Sequence, residues 1–186
     1  MPIPHHLLSA CDTPVVCHRG TRRVGWDRLI EVSTRIPPAS QQPPRSARDR
    51  FLGTWRLVSM QEGPSPDKMQ PAPDLGAHAQ GFLIYTPSGH MCAQLMNPER
   101  ARWADAAKPT DAERAAAMRG FASYCGRFEV NQADQVIIHY PETAWNPNYV
   151  GTVQKRPYHF ESDNRLVYSG KNEDGTFWRV EWERLL

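Results

Sequence analysis

FLGTWRLVSMQ, residues 51–61, reads as a strand. Side chains alternate across an extended chain, so Gly53, Trp55, Leu57 and Ser59 share one face and Thr54, Arg56, Val58 and Met60 the other. FWRVEWERL, residues 177–185, answers it from the far end of the chain. There Trp178, Val180 and Trp182 line one face and Arg179, Glu181 and Glu183 the opposite one, the pattern of a strand packed on one side and solvated on the other. Pairing these two ends with each other closes a barrel and leaves no sheet edge unpaired.

The chain between them supports that reading. Residues 63–79 are rich in Pro, Gly and Asp and predict a long loop, placed to act as a lid at the barrel mouth. Residues 82–86 and 91–96 predict a hairpin turned at Pro87-Ser88-Gly89. An insertion follows, weakly helical over 98–107 and strongly so over 110–124. Thr110-Asp-Ala-Glu113 is a capping box, and Ala115, Met118, Phe121, Ala122 and Cys125 repeat at helical spacing behind it. One inserted amphipathic helix covering an end or flank of the barrel is therefore expected. Beyond it, residues 126–131, 135–140, 149–158, 158–161, 165–169 and 176–184 read as strands. Eight to ten strands in meander order predict an all-β, up-and-down antiparallel barrel. A two-sheet sandwich is the competing architecture, but the single helix and regular hairpin order favour closure. Eight strands enclose room for packed side chains or one small ligand.

Five segments carry a family resemblance: GTWRLVS at 53–59, GFLIYTPSGHMCAQLM at 81–96, YCGRFEV at 124–130, WNPNYVGTVQKR at 145–156, and the terminal WERL. In this order they resemble the lipocalin-like domain family of the calycin superfamily, known from bacteria and fungi, from about residue 50 to the end. The resemblance implies a lipocalin-like barrel. It also implies that Trp55 stacks against Arg184 at the closed end, a scaffold role of a cation over an aromatic face.

Residues 1–50 differ in character. They hold eight Arg, no Lys and four acidic residues, with seven of the 17 prolines and no sustained hydrophobic period. Such a segment buries too little apolar surface to offset its ordering entropy. It reads as a disordered extension over residues 1–49, with room for a helical turn or two only at 26–36, and the barrel domain as 50–186. Arg-rich, acid-poor composition is shared with mitochondrial transit peptides, but Asp12, Asp27 and the proline density argue against that reading. The formal net charge of +2 is too small to predict nucleic-acid binding, and no apolar run is long enough to span a membrane. A cytoplasmic chain is expected.

The four cysteines form no C-x-x-C, and no histidine cluster has zinc spacing, so neither metal nor cofactor is expected. In such a compartment Cys92 and Cys125 are expected to be reduced, small, buried hydrophobes, as Cys11 and Cys17 should be reduced in the extension. No phosphate loop, nucleophile elbow or metal triad points to hydrolysis, phosphoryl transfer or redox work.

The residue that most invites chemistry is His139, a strand histidine able to act as a general base near neutral pH if it faces a cavity, and the resemblance places a histidine here as well. Glu142 could orient it only if the chain bends at Pro141. Thr152, Gln154 and Arg156 share one face of their strand, opposite Val153 and Lys155, and the spacing leaves open which face is interior. The resemblance marks Gly151, Thr152 and Arg156 as motif positions and favours Arg156 inward, where a fixed positive charge suits a carboxylate, enol or phenolate. Tyr85, Gln94 and Trp178 are further candidates for the lining. Two functions follow. The barrel binds a small hydrophobic or aromatic molecule, with no nucleic-acid or membrane partner. Alternatively, by resemblance to lipocalin-like proteins of secondary metabolism, it is a cofactor-independent isomerase, cyclase or dehydratase of a natural-product intermediate, using His139 as general acid/base.

Overall fold

The computed structural model describes residues 46–186. In chain order the elements are helix α1, Ala47–Phe51; strands β1, Gly53–Gly63, β2, Gln70–Pro71, β3, Gln80–Tyr85, and β4, His90–Met96; helix α2, Asp111–Arg119; strands β5, Phe121–Asn131, and β6, Val136–Ala144; a 3-10 turn, Pro147–Tyr149; and strands β7, Gln154–Ser162, β8, Arg165–Lys171, and β9, Phe177–Arg184. From β3 onward each strand pairs antiparallel with the next, and β1 pairs with both β3 and β9. That second pairing closes an eight-stranded barrel and excludes the sandwich, while β2 adds a short extra strand beside β1. α1 lies partly within the stretch assigned to the extension. The expectations for the helical turn at 26–36 and for Cys11 and Cys17 concern residues outside the described range.

The Gly-x-Trp motif builds the closed end. Trp55 is fully buried, its indole N–H donates to the Phe51 carbonyl at 2.7 Å, and the Arg184 guanidinium lies 4.1 Å from its ring centroid. Arg184 also donates to the carbonyls of Leu52 and Asp163, at 2.6 and 3.1 Å, and to that of Arg50. Gly53 has φ +117°, and a Cβ there would come within 3.2 Å of an Arg184 terminal nitrogen, so both the left-handed backbone and the approach of the arginine favour glycine. α1 completes the plug. Ser46 caps it by accepting from the Asp49 N–H, and Phe51 packs edge-on against Tyr85, Tyr158 and Phe160 at 4.8 to 5.6 Å.

Strict alternation along β1 fails past its midpoint. The register against β9 slips between Leu57 and Ser59, a β-bulge. A bulge inserts one residue, so every later side chain changes face. Met60 and Glu62 therefore point inward beside Val180 and Trp178, although simple alternation puts Met60 outward with Val58.

Two further expectations are corrected. The inserted helix ends at Arg119, with Gly120 as its C-cap, and none of its residues is buried. The capping box is present, with Glu113 N–H donating to Thr110 Oγ1 and Thr110 N–H to the Glu113 carboxylate. Phe121, Ala122 and Cys125 belong instead to β5, opposite Met96, Leu95 and Cys92 of β4, because the strand-to-strand ladder overrides their local helical spacing. Likewise the strand expected from Tyr149 begins only at Gln154.

Cys92 and Cys125 are not reduced buried hydrophobes. They are joined in a disulfide between directly opposed positions of β4 and β5. Met91, Ala93 and Leu95 occupy the inner face of β4, which leaves Cys92 on the outside. Closing a loop of this length in the unfolded chain is worth about 2 to 4 kcal/mol. Reduction is therefore expected to lower the thermal unfolding midpoint by several degrees, as read by circular dichroism with and without reductant, and a Cys92→Ser/Cys125→Ser variant should lose that sensitivity.

Candidate functional site

Beyond the plugged end the barrel holds a cavity of about 290 Å³. Its wall is aliphatic and indole on several sides, with Leu83, Ala93, Leu95, Val180, Trp178 and Trp182. Its polar groups come from six different elements, and each arrives by the local logic of its strand or turn.

β6 supplies His139. Ile137, His139 and Pro141 are the buried alternate positions of that strand, so the imidazole faces inward and is 1% exposed. Both ring nitrogens are held by phenols. Tyr85 Oη lies 2.6 Å from Nε2, Tyr124 Oη lies 2.8 Å from Nδ1, and Tyr85 Oη is in turn 2.7 Å from Tyr168 Oη. A neutral imidazole donates from one nitrogen and accepts at the other, so the tautomer fixes the direction of the whole chain of hydroxyls. With the proton on Nδ1, the ring donates to Tyr124 and leaves the Tyr124 hydroxyl proton free for a ligand. With the proton on Nε2, Tyr124 donates to the ring and presents only an acceptor.

Burial, reinforced by the Arg156 charge, holds the His139 pKa down at about 3. Burial also pushes the Tyr124 phenol up to about 12 despite the opposing pull of Arg156, and the Tyr85 and Tyr168 phenols well above their ordinary range. Around neutral pH His139 and these three phenols are therefore uncharged.

β7 supplies Arg156 and Gln154. Thr152, Gln154 and Arg156 are half-buried while Val153 and Lys155 are exposed, so the Arg156 face is interior. The guanidinium donates to Tyr149 Oη at 2.9 Å and to Gln154 Oε1 at 3.2 Å, and lies 5.4 Å from the Trp178 ring centroid. Gln154 is held in turn, its amide donating to Thr152 Oγ1 at 2.8 Å. Tyr149 reaches the cavity because the chain does not run straight into β7. Asn146 accepts from the Asn148 N–H, Pro147 opens the 3-10 turn, and Gly151 takes φ +78° before the strand begins. The ring folded over by this turn packs edge-on against Tyr124 at 5.5 Å.

His139, Gln154, Arg156 and Trp178 thus meet at one cavity. Tyr85 does not line it but stands behind His139, holding Nε2. Gln94 is on the solvent side of β4, between the outward positions opposite Phe82 and Ser123. The fully apolar alternation of Met91, Ala93 and Leu95 was the sequence signal that excludes it from the lining. Glu142 does not orient His139, because a bulge in the β5–β6 pairing places it outside, where its carboxylate meets Arg127 at 3.1 Å. Sequence reasoning also missed Tyr124, Tyr149 and Tyr168. Tyr124 was hidden by its helical spacing and Tyr149 by the expected strand, whereas Tyr168 sits on the apolar face of β8 beside Leu166 and was legible. Glu62 was hidden by the β1 bulge. Its carboxyl is raised by partial burial and then by the fields of Asp74 and Asp174, and it makes no ion pair with Arg156.

Among the described residues no group of His, Cys, Asp and Glu could hold a metal ion, and no helix is long and apolar enough to cross a membrane. Among known proteins, the chain is 35% identical over 81 residues to the 4'-hydroxy-3'-methoxypropiophenone carrier protein ppsC of Aspergillus oryzae, a match spanning 39% of this chain and 73% of that one. Two solved structures, a redesigned β-barrel and a de novo designed fluorescence-activating β-barrel, align at 14% identity with a TM-score of 0.40, over 75% and 76% of this chain and 96% and 100% of theirs. The model of a lipocalin-like domain matches residues 52–185, from the strand that carries Trp55 to the strand that returns Arg184 to it, and the chain therefore belongs to the lipocalin-like domain family.

Proposed function

We propose that the barrel carries a small aromatic molecule, with its ring against the apolar wall and a hydrogen-bonding oxygen toward Arg156, Tyr124 and Tyr149. The observation that carries this reading is the cavity itself. A space of about 290 Å³ is at the small end of ligand pockets, and it sets the hydrogen-bonding groups of Tyr124, His139, Tyr149, Gln154 and Arg156 beside an aliphatic and indole wall. The relative named as a carrier of an aryl ketone is in keeping with such an occupant. Indole contact at Trp178 suits an aromatic ring, and edge or offset stacking adds about 0.5 to 1.5 kcal/mol beyond area burial.

The test is a titration of the full chain with 4'-hydroxy-3'-methoxypropiophenone, followed by tryptophan fluorescence, since Trp178 and Trp182 both line the cavity. A dissociation constant in the micromolar range, about −8 kcal/mol, is expected. Ala93 is 3% exposed and on the wall, so Ala93→Phe should fill the space. That variant is expected to lose at least tenfold in affinity while giving up about 1 to 3 kcal/mol of stability to overpacking. Undiminished binding by folded A93F would place the ligand elsewhere.

The hydroxyl chain through His139 gives acid–base turnover a geometry, but less support. A histidine held near pKa 3 is a weak base around neutral pH, and both its nitrogens are already engaged. A carrier returns its cargo unaltered. Recovery of a changed compound after incubation, read by NMR, would shift the balance to catalysis.

A further inference from the structure

Among the described residues Arg156 is the one strongly basic group on the cavity wall, and it is half-buried there with no carboxylate within ion-pair distance. Its guanidinium donates to the Tyr149 hydroxyl, the Gln154 amide oxygen and, at 3.4 Å, the Lys155 carbonyl, and it also lies in hydrogen-bonding reach of the Tyr124 hydroxyl. None of these acceptors is a carboxylate, and a guanidinium has five N–H donors to place. Tyr124 from β5, His139 from β6, Tyr168 from β8 and Trp178 from β9 are further groups on the lining, and its one carboxylate among the described residues, Glu62, makes no ion pair with Arg156. Glu62, from β1, lies in the fields of Asp74 and Asp174. A buried cation is expensive unless an anion compensates it.

We infer that the ligand supplies that anion: the cavity selects an acidic phenol, one carrying an acyl group across the ring, and holds it as the phenolate with its oxygen against Arg156. An electron-withdrawing acyl group makes such a phenol more acidic than the tyrosine value of about 10, and a cation within about 4 to 6 Å lowers it by a further one to three units. Burial, which keeps the Tyr124 phenol high, opposes this, so direct guanidinium hydrogen bonds to the oxygen must outweigh burial. The phenolic proton leaves to solvent on binding, and the phenolate oxygen accepts from the free guanidinium N–H donors. The ring then lies along Trp178 and the aliphatic wall, and the acyl group extends across the cavity. Tyr124 can donate to the same oxygen when His139 carries its proton on Nδ1.

This rests on the carrier reading above, and the experiment separates the two. The full chain is titrated at about pH 6 with 4'-hydroxypropiophenone, which ionises, and with its 4'-methoxy ether, which does not, following probe absorbance and tryptophan fluorescence together. Expected results are a long-wavelength phenolate band on binding, a bound ionisation midpoint one to three pH units below the free one, and at least tenfold weaker binding of the ether. Arg156→Gln is expected to bind without the band, and Arg156→Lys to restore part of it. Fluorescence quenching with an unchanged absorbance spectrum and equal affinity for the ether would overturn the phenolate inference and leave the carrier reading standing. Failure of both probes to bind would overturn both. The comparison of the two probes on the unmutated chain decides the matter even where a substitution prevents folding.

Discussion

Trp55→Ala is expected to destabilise the domain by about 3 to 5 kcal/mol, the cost of emptying a fully buried aromatic site. The indole fills the closed end, lies tilted to Phe160 at 6.2 Å, satisfies the Phe51 carbonyl, and carries the Arg184 guanidinium on its face. Its loss also removes the surface that orients Arg184, whose donors hold the carbonyls of Arg50, Leu52 and Asp163. Three chain segments are tied at that one side chain. Because small domains are stable by only about 5 to 15 kcal/mol, the variant should unfold at a midpoint lower by 10 °C or more, or fail to accumulate. Chemical denaturation read by circular dichroism checks it. A loss below about 1 kcal/mol would mean that α1 and Phe160 close the end without the tryptophan.

Acidification should expose His139. Its folded pKa is depressed from 6.5 to about 3, so the unfolded chain binds the proton more readily over that interval. Stability linked to this group is complete above pH 6.5 and is lost as pH falls from there toward 3, at about 1.4 kcal/mol per pH unit, or on the order of 4 kcal/mol across the window. Carboxylates contribute their own acid dependence, so the informative quantity is the difference between the unmutated chain and His139→Gln. That difference should narrow steadily from pH 6.5 to pH 4, because glutamine offers Tyr85 and Tyr124 hydrogen bonds without a titrating nitrogen. A difference independent of pH would mean that the imidazole reaches solvent and charges in the folded state.

The plug supplies stability that does not depend on a ligand, which leaves the other half of the barrel free to keep a hollow with Arg156 on its wall. A ligand that fills the cavity should add stability by mass action, about 2.7 kcal/mol at a hundredfold excess over its dissociation constant.

Alternation and turn residues were enough to read the two terminal strands, the hairpin at Pro87–Gly89 and the meander order, and with them the closed barrel, because a half-buried strand writes its face into every second residue. The Trp55–Arg184 plug followed from family resemblance. Inward placement of Trp178, Val180 and Trp182 was equally legible. The tertiary structure alone decided the rest, for a common reason: each correction depends on which neighbour a segment meets. A bulge opposite Glu181 turned Met60 and Glu62 inward, pairing with β4 converted the helical spacing of residues 121–125 into strand, and the same pairing brought Cys92 and Cys125 together. Local pattern specifies a strand's two faces, but only the partners across the sheet settle which face encloses the cavity and which residues converge there.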